Sequence, residues 1–69
     1  MKLKKEIIEK IRKNRLQTEL AIESNISIQT LRNIINDKHI PYFKTAQKLA
    51  KAYGRLFGKE CGIDDLFDY

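Results

Sequence analysis

Four side chains within six positions carry the hydrogen-bonding and apolar groups of base recognition: Ile28, Gln29, Arg32 and Asn33. A carboxamide such as Gln29 or Asn33 has a donor beside an acceptor and can pair bidentately with adenine in the major groove. Arg32 can do so with guanine, or reach a phosphate. Ile28 suits a thymine methyl or a protein surface. The palette leans towards A·T-containing sequence. Other chemistry is poorly supplied. Glu19 and Glu23 stand four apart, but no His or Arg is placed to tune them as an acid–base pair, so no catalysis is expected. His39 lies in a polar run without Cys or His at ligand spacing, so no metal or other cofactor is expected. Cys61 is the one cysteine; it makes no internal disulfide and reads as a small, buried or half-buried residue. Tyr42 and Phe43 can stack on bases, but they read as packing groups for the helix that follows.

Length limits what can hold these groups. The chain has 69 residues. That is one domain, 1–69, and a chain of this size buries only about 60% of its unfolded surface. With no disulfide it must be held by packing alone, which favours helices. No apolar run approaches the roughly 20 residues that span a bilayer. The basic start, Met1 to Lys5, is not followed by the apolar stretch of a signal peptide. A reducing, cytoplasmic location is expected. Charge is uneven: residues 1–59 hold all 14 basic groups and five acidic ones, a net +9, while residues 60–69 hold four acidic groups. Such a basic body attracts a polyanion.

Periodicity predicts five helices and no strand. Leu3, Ile7, Ile8 and Ile11 form an apolar stripe over about 3–14. Leu20 and Ala21 face inward from a short helix at about 17–24, and Asn25 turns the chain because Asn tolerates a left-handed backbone. Ser27 is a good N-cap for a third helix at about 28–35, with Leu31 and Ile34 inward. Pro41 separates this from a fourth helix at about 42–56, carrying Ala46, Leu49, Ala50 and Tyr53 inward. That helix ends at Gly54 or continues to Gly58. A fifth covers about 63–67.

Two short helices joined by a tight turn, the second with polar groups outside, form a helix-turn-helix. Gln17-Thr18-Glu19-Leu20-Ala21, Asn25-Ile26-Ser27, Thr30-Leu31, Ile34, Asn36, Lys38 and Pro41 resemble, at ungapped spacing, the Cro and phage-repressor helix-turn-helix family. The downstream Leu49 to Gly54 and Ile63 to Phe67 resemble the family's last two helices, so the resemblance covers nearly the whole chain. It implies an all-α, compact five-helix domain of the lambda-repressor type that binds double-stranded DNA as a small transcriptional regulator.

By the same resemblance, Gln17 and Asn36 anchor the DNA backbone, with Ser27, Thr30, Lys38 and Lys44 in support. Independently of resemblance, Gln17 stands at a helix start, where backbone N–H groups favour a phosphate. Family members bind two half-sites as dimers. Here Leu56, Phe57, Phe67 and Tyr69 are the candidate dimer contacts, in a weak homodimer strengthened on DNA. The same fold can instead grip a partner protein, as an antirepressor or antitoxin does, with Ile28 in the grip. Three positions depart from the family pattern. Asp37 stands where Gly is usual, Ile35 where Glu commonly pairs with an Arg of the first helix, and the stretch from Gly54 to Gly62 is long. Packing of Ile35 on Ile7 or Ile11 is expected to replace the ion pair.

Overall fold

Each of the four longer helices ends in the same way. α1 (Lys5–Lys13), α2 (Gln17–Ser24), α3 (Ile28–Ile35) and α4 (Phe43–Phe57) are followed by a residue with left-handed backbone: Arg15, Asn25, Asp37 and Gly58, with φ of 54°, 58°, 60° and 66°. The next N–H then reaches back to a carbonyl five residues earlier. Leu16 donates to Ile11 at 2.9 Å, Ile26 to Ala21 at 3.0 Å, Lys38 to Asn33 at 2.8 Å and Lys59 to Gly54 at 2.8 Å. These bonds satisfy the last carbonyls of each helix and turn the chain sharply towards the next. Only the fourth turn uses Gly. Asn25 turns as its residue type predicts, and Asp37 adopts a backbone that glycine takes at least cost.

The computed structural model describes residues 2–68. α5 (Ile63–Leu66) completes the five helices. The helix bounds differ from those expected by a residue or two, and one difference has a structural cause. Leu3 and Phe67, read from the sequence as the start of the first helix and the end of the last, belong instead to two short strands. β1 (Lys2–Leu3) and β2 (Phe67–Asp68) pair antiparallel, Lys2 opposite Asp68 and Leu3 opposite Phe67. The Lys4 N–H continues the link to the Leu66 carbonyl at 2.8 Å. Two residues per strand are too few for an alternating pattern, so periodicity does not reveal them.

The core is one cluster. Ile11, Leu20, Leu31, Ile34, Leu49, Tyr53, Leu66 and Phe67 are its largest fully buried members. Ile35 is buried in the same cluster as Ile7 and Ile11, as its apolar replacement of Glu requires. Leu20 of α2 and Leu31 of α3 are buried in this cluster, and α2 packs against both α3 and α4. Truncating either Leu would cost about 2–5 kcal/mol and loosen the angle between the two helices.

The end of α4 is set by a close approach. Gly54 lies inside the helix, three residues before its end, and the returning chain runs over it. A Cβ here would collide with the Lys59 carbonyl oxygen and sit 3.2 Å from the Cys61 nitrogen. Gly58, not Gly54, ends the helix, and the long stretch before Gly62 is the strap that returns across Gly54.

Two further expectations are corrected. Tyr42 and Phe43 do not pack on the core; they are 79% and 61% exposed. Pro41 is buried instead and anchors the loop between α3 and α4. Phe67 is 1% exposed, so its side chain is spent in the core opposite Leu3 and is not a surface group for a dimer.

Candidate nucleic-acid interface

α3 starts on a made cap. The Ser27 hydroxyl oxygen accepts from the Thr30 N–H at 3.1 Å and donates to the Thr30 hydroxyl at 2.8 Å. Such a cap is worth about 1 kcal/mol and fixes the first turn, where a reading helix meets the bases. It also occupies the Ser27 proton within the protein. Thr30 is half-buried beneath it.

Gln29 and Arg32 are exposed along α3, and Asn33 is half-exposed one turn beyond Gln29. The Gln29 amide donates to Asn33 Oδ1 at 3.2 Å. This bond joins the two carboxamides into one unit. It leaves Gln29 its carbonyl oxygen and one N–H, the edge that adenine needs, and leaves Asn33 two N–H donors. Ile28 is less free than the sequence suggests. It stands three residues before the buried Leu31, on the margin of the inward face, and is half-buried against the core. Its remaining surface joins Ile22, Ile26 and Thr18 around a groove of about 470 Å³ between α2 and α3.

The helix ends supply the charges. α2 begins at Gln17 without a side-chain cap, so its first N–H groups stay available to an anion. Arg12, Arg15, Gln17 and Thr18 line a hollow of about 280 Å³ at that end. Sequence reasoning missed Arg12 and Arg15. Their signal was their proximity to Gln17, but the left-handed turn at Arg15 between α1 and α2 is not legible in an arginine.

At the other end of α3, Arg12 donates to Asn36 Oδ1 at 3.2 Å. That leaves the Asn36 N–H groups as donors for a phosphate. Lys38 is exposed, with its backbone held by the bond to Asn33, and Lys44 is exposed in the first turn of α4, which also lacks a side-chain cap. Arg12 thus lines the hollow beside Gln17 at the start of α2 and also bonds Asn36 at the end of α3, while Lys44 lies on α4.

Of the candidate dimer contacts, Leu56 is half-buried against the core, and the Phe57 ring lies 4.6 Å from that of Tyr53, with the Lys10 ammonium 5.8 Å above it. Tyr69 lies outside the described residues. A hollow of about 600 Å³ lies among Leu3, Ile8, Ile34 and Ile35, and neither Gln29, Arg32 nor Asn33 lines it. Among the described residues there is no group of three His, Cys, Asp or Glu side chains that could hold a metal.

The sequence profile described as helix-turn-helix matches residues 5–57, from the start of α1 to the end of α4. No curated protein and no solved structure matches the chain.

Proposed function

The chain belongs to the helix-turn-helix family of Cro and phage-repressor type, and from that premise we propose that it is a Cro-like repressor acting as a weak dimer on operator half-sites. α3 enters the major groove. Gln29, Arg32 and Asn33 read base edges, with the exposed part of Ile28 against a thymine methyl. Gln17, Asn36, Lys38 and Lys44 hold the backbone, joined by Arg12 and Arg15.

The observation that carries this reading is the Gln29–Asn33 hydrogen bond on the outward side of a capped helix. It holds a carboxamide edge on that side and so lowers the side-chain ordering that binding must supply. Charge supports it as well, since a basic body is drawn to duplex DNA of any sequence. The test is a binding titration against duplexes recovered by the protein from a random pool, at two salt concentrations. Each phosphate contact contributes about −0.9 to the slope of log K on log salt, so five or six contacts give a slope near −5.

The rival reading is a protein-binding module of antirepressor or antitoxin type. It draws on Ile22, which is 73% exposed beside Ile26 and Ile28. Salt-insensitive capture of a partner protein without DNA binding would favour it.

A further inference from the structure

Cys61 lies in the strap that returns across Gly54 and is a free, half-buried thiol. It lines two hollows. One, of about 350 Å³, it shares with Glu6, Lys10, Tyr53 and Lys59; the other, of about 330 Å³, it shares with Lys51 and Arg55. A small reagent can therefore approach Cys61 from either side. None of the side chains assigned to DNA lines either hollow, so what happens here does not depend on that reading.

Tyr53 sets this cysteine apart from an ordinary half-buried thiol. It is 1% exposed, and its hydroxyl is buried with no hydrogen-bond partner among the described residues. Its ring is engaged, 4.6 Å from the ring of Phe57 and with the Lys59 ammonium 5.9 Å above it. The hydroxyl is not engaged, yet the negative charges of Cys61 and Glu6 both act on it, which places that end of the side chain at the first hollow. A buried donor without an acceptor is costly. An oxygen added to the Cys61 sulfur is an acceptor of the right kind. Charge narrows the reagent. Lys10 and Lys59 stand against Glu6, Glu60 and Asp65 around this hollow, two cations against three carboxylates, which opposes an anionic oxidant but not a neutral one.

We infer that Cys61 is a modification site for small neutral hydroperoxides, and that the buried Tyr53 hydroxyl holds the sulfenic acid formed there. The Cys61 sulfur attacks one peroxide oxygen, so an S–O bond forms as the O–O bond breaks. The thiol proton ends on the departing oxygen, which leaves as water from hydrogen peroxide or as an alcohol from an alkyl hydroperoxide. Sulfur gives up two electrons and the peroxide takes them. The new sulfenic oxygen accepts from the Tyr53 O–H. Cys61 is the one cysteine of the chain, so no internal disulfide can consume the product. The oxidised state persists until an outside thiol removes it.

The experiment treats the full chain with limiting hydrogen peroxide and traps sulfenic acid with a cyclic 1,3-dione. The dione is added at once, or after delays once catalase has removed the peroxide. Peptide mapping separates Cys61 from Met1, the one methionine. Cys61 is expected to carry the dione, and delayed trapping to recover most of the label. Tyr53→Phe keeps the ring and lacks the hydroxyl. Its thiol should be consumed at a similar rate, but its sulfenic acid should decay about fivefold faster, as for the loss of one hydrogen bond. A melting curve checks that the variant folds. Wild-type protein oxidised in urea should show the same faster decay, a comparison that needs no variant. The inference is overturned if Cys61 takes up no dione, if folded and unfolded wild-type chains hold the sulfenic acid equally long, or if folded Tyr53→Phe holds it as long as wild type. A disulfide-linked pair of chains as the main product would also overturn it, because the sulfenic acid would then be open to a second copy and not held by Tyr53.

Discussion

Arg12, in the last turn of α1, donates to Asn36 at the end of α3, Nη2 to Oδ1 at 3.2 Å across 24 residues of sequence. In the family pattern an Arg of the first helix commonly pairs with a Glu at the position of Ile35. Here the link has moved one residue on, to an uncharged partner at the surface, while Ile35 turns into the core. α1 and the end of α3 are thereby tied without burying a charge.

Arg12→Ala should therefore divide its effects. The lost bond is exposed, so chemical denaturation should show a loss of no more than about 1 kcal/mol. Arg12 also lines the hollow at the start of α2 with Arg15 and Gln17. The salt slope of DNA binding should fall by about one unit, as for the loss of one phosphate partner. A stability loss with an unchanged slope would confine Arg12 to the Asn36 tie.

Asp37 holds a left-handed backbone next to the proposed phosphate contacts. Asp37→Gly removes both a conformational cost and a negative charge. Stability should rise by about 0.5–1 kcal/mol and DNA affinity should rise severalfold at low salt. Thermal melting and a low-salt titration check the two parts separately.

Gly54 gives a test by sign. Gly→Ala inside an exposed helix stabilises by about 1 kcal/mol. Here the added methyl would strike the Lys59 carbonyl, and backbone cannot swing aside as a flexible side chain can. Gly54→Ala should destabilise by about 1–3 kcal/mol in urea, the range of overpacking. A stabilised variant would mean that the Lys59–Cys61 strap does not lie against the helix.

Tyr53 is fully buried, and its hydroxyl has no hydrogen-bond partner among the described residues. Burial pushes its pKa above 10.0, and the negative charges of Cys61 and Glu6 push it further the same way. The unfolded chain therefore releases this proton first as pH rises. The stability linked to the neutral phenol is whole below pH 10.0 and is lost as pH climbs through the higher folded value. Tyr53→Phe should be neutral or stabilising by about 1 kcal/mol at pH 7, because an unpaired buried hydroxyl is removed. It should also lessen the loss of stability above pH 10.0. Urea midpoints across that range measure both.

The helix order, the Ser27 cap, the Asn25 turn and the inward set from Leu20 to Tyr53 were legible because each follows from residue type or a 3.6-residue period. Three features were not. The β1–β2 pair depends on a meeting of the two ends, which no local pattern encodes. Tyr42 and Phe43 carry the composition of core residues, yet Pro41 takes the buried place in the loop and leaves them outside. Arg15 joins the start of α2 through a left-handed turn for which arginine gives no signal. On α3, residue type and period put Gln29, Arg32 and Asn33 on the outward side, but only side-chain geometry revealed the bond between two of them and the partial burial of Ile28.

In the proposed function, α3 selects DNA sequence through Gln29 and Asn33. The most direct measurement of this is the affinity of the wild-type protein, Gln29→Ala and Asn33→Ala for a duplex recovered from a random pool and for the same duplex scrambled. Each substitution is predicted to cost about 1–3 kcal/mol on the recovered duplex, to leave the scrambled duplex unaffected, and to keep the salt slope. Equal losses on both duplexes, or none on either, would contradict it.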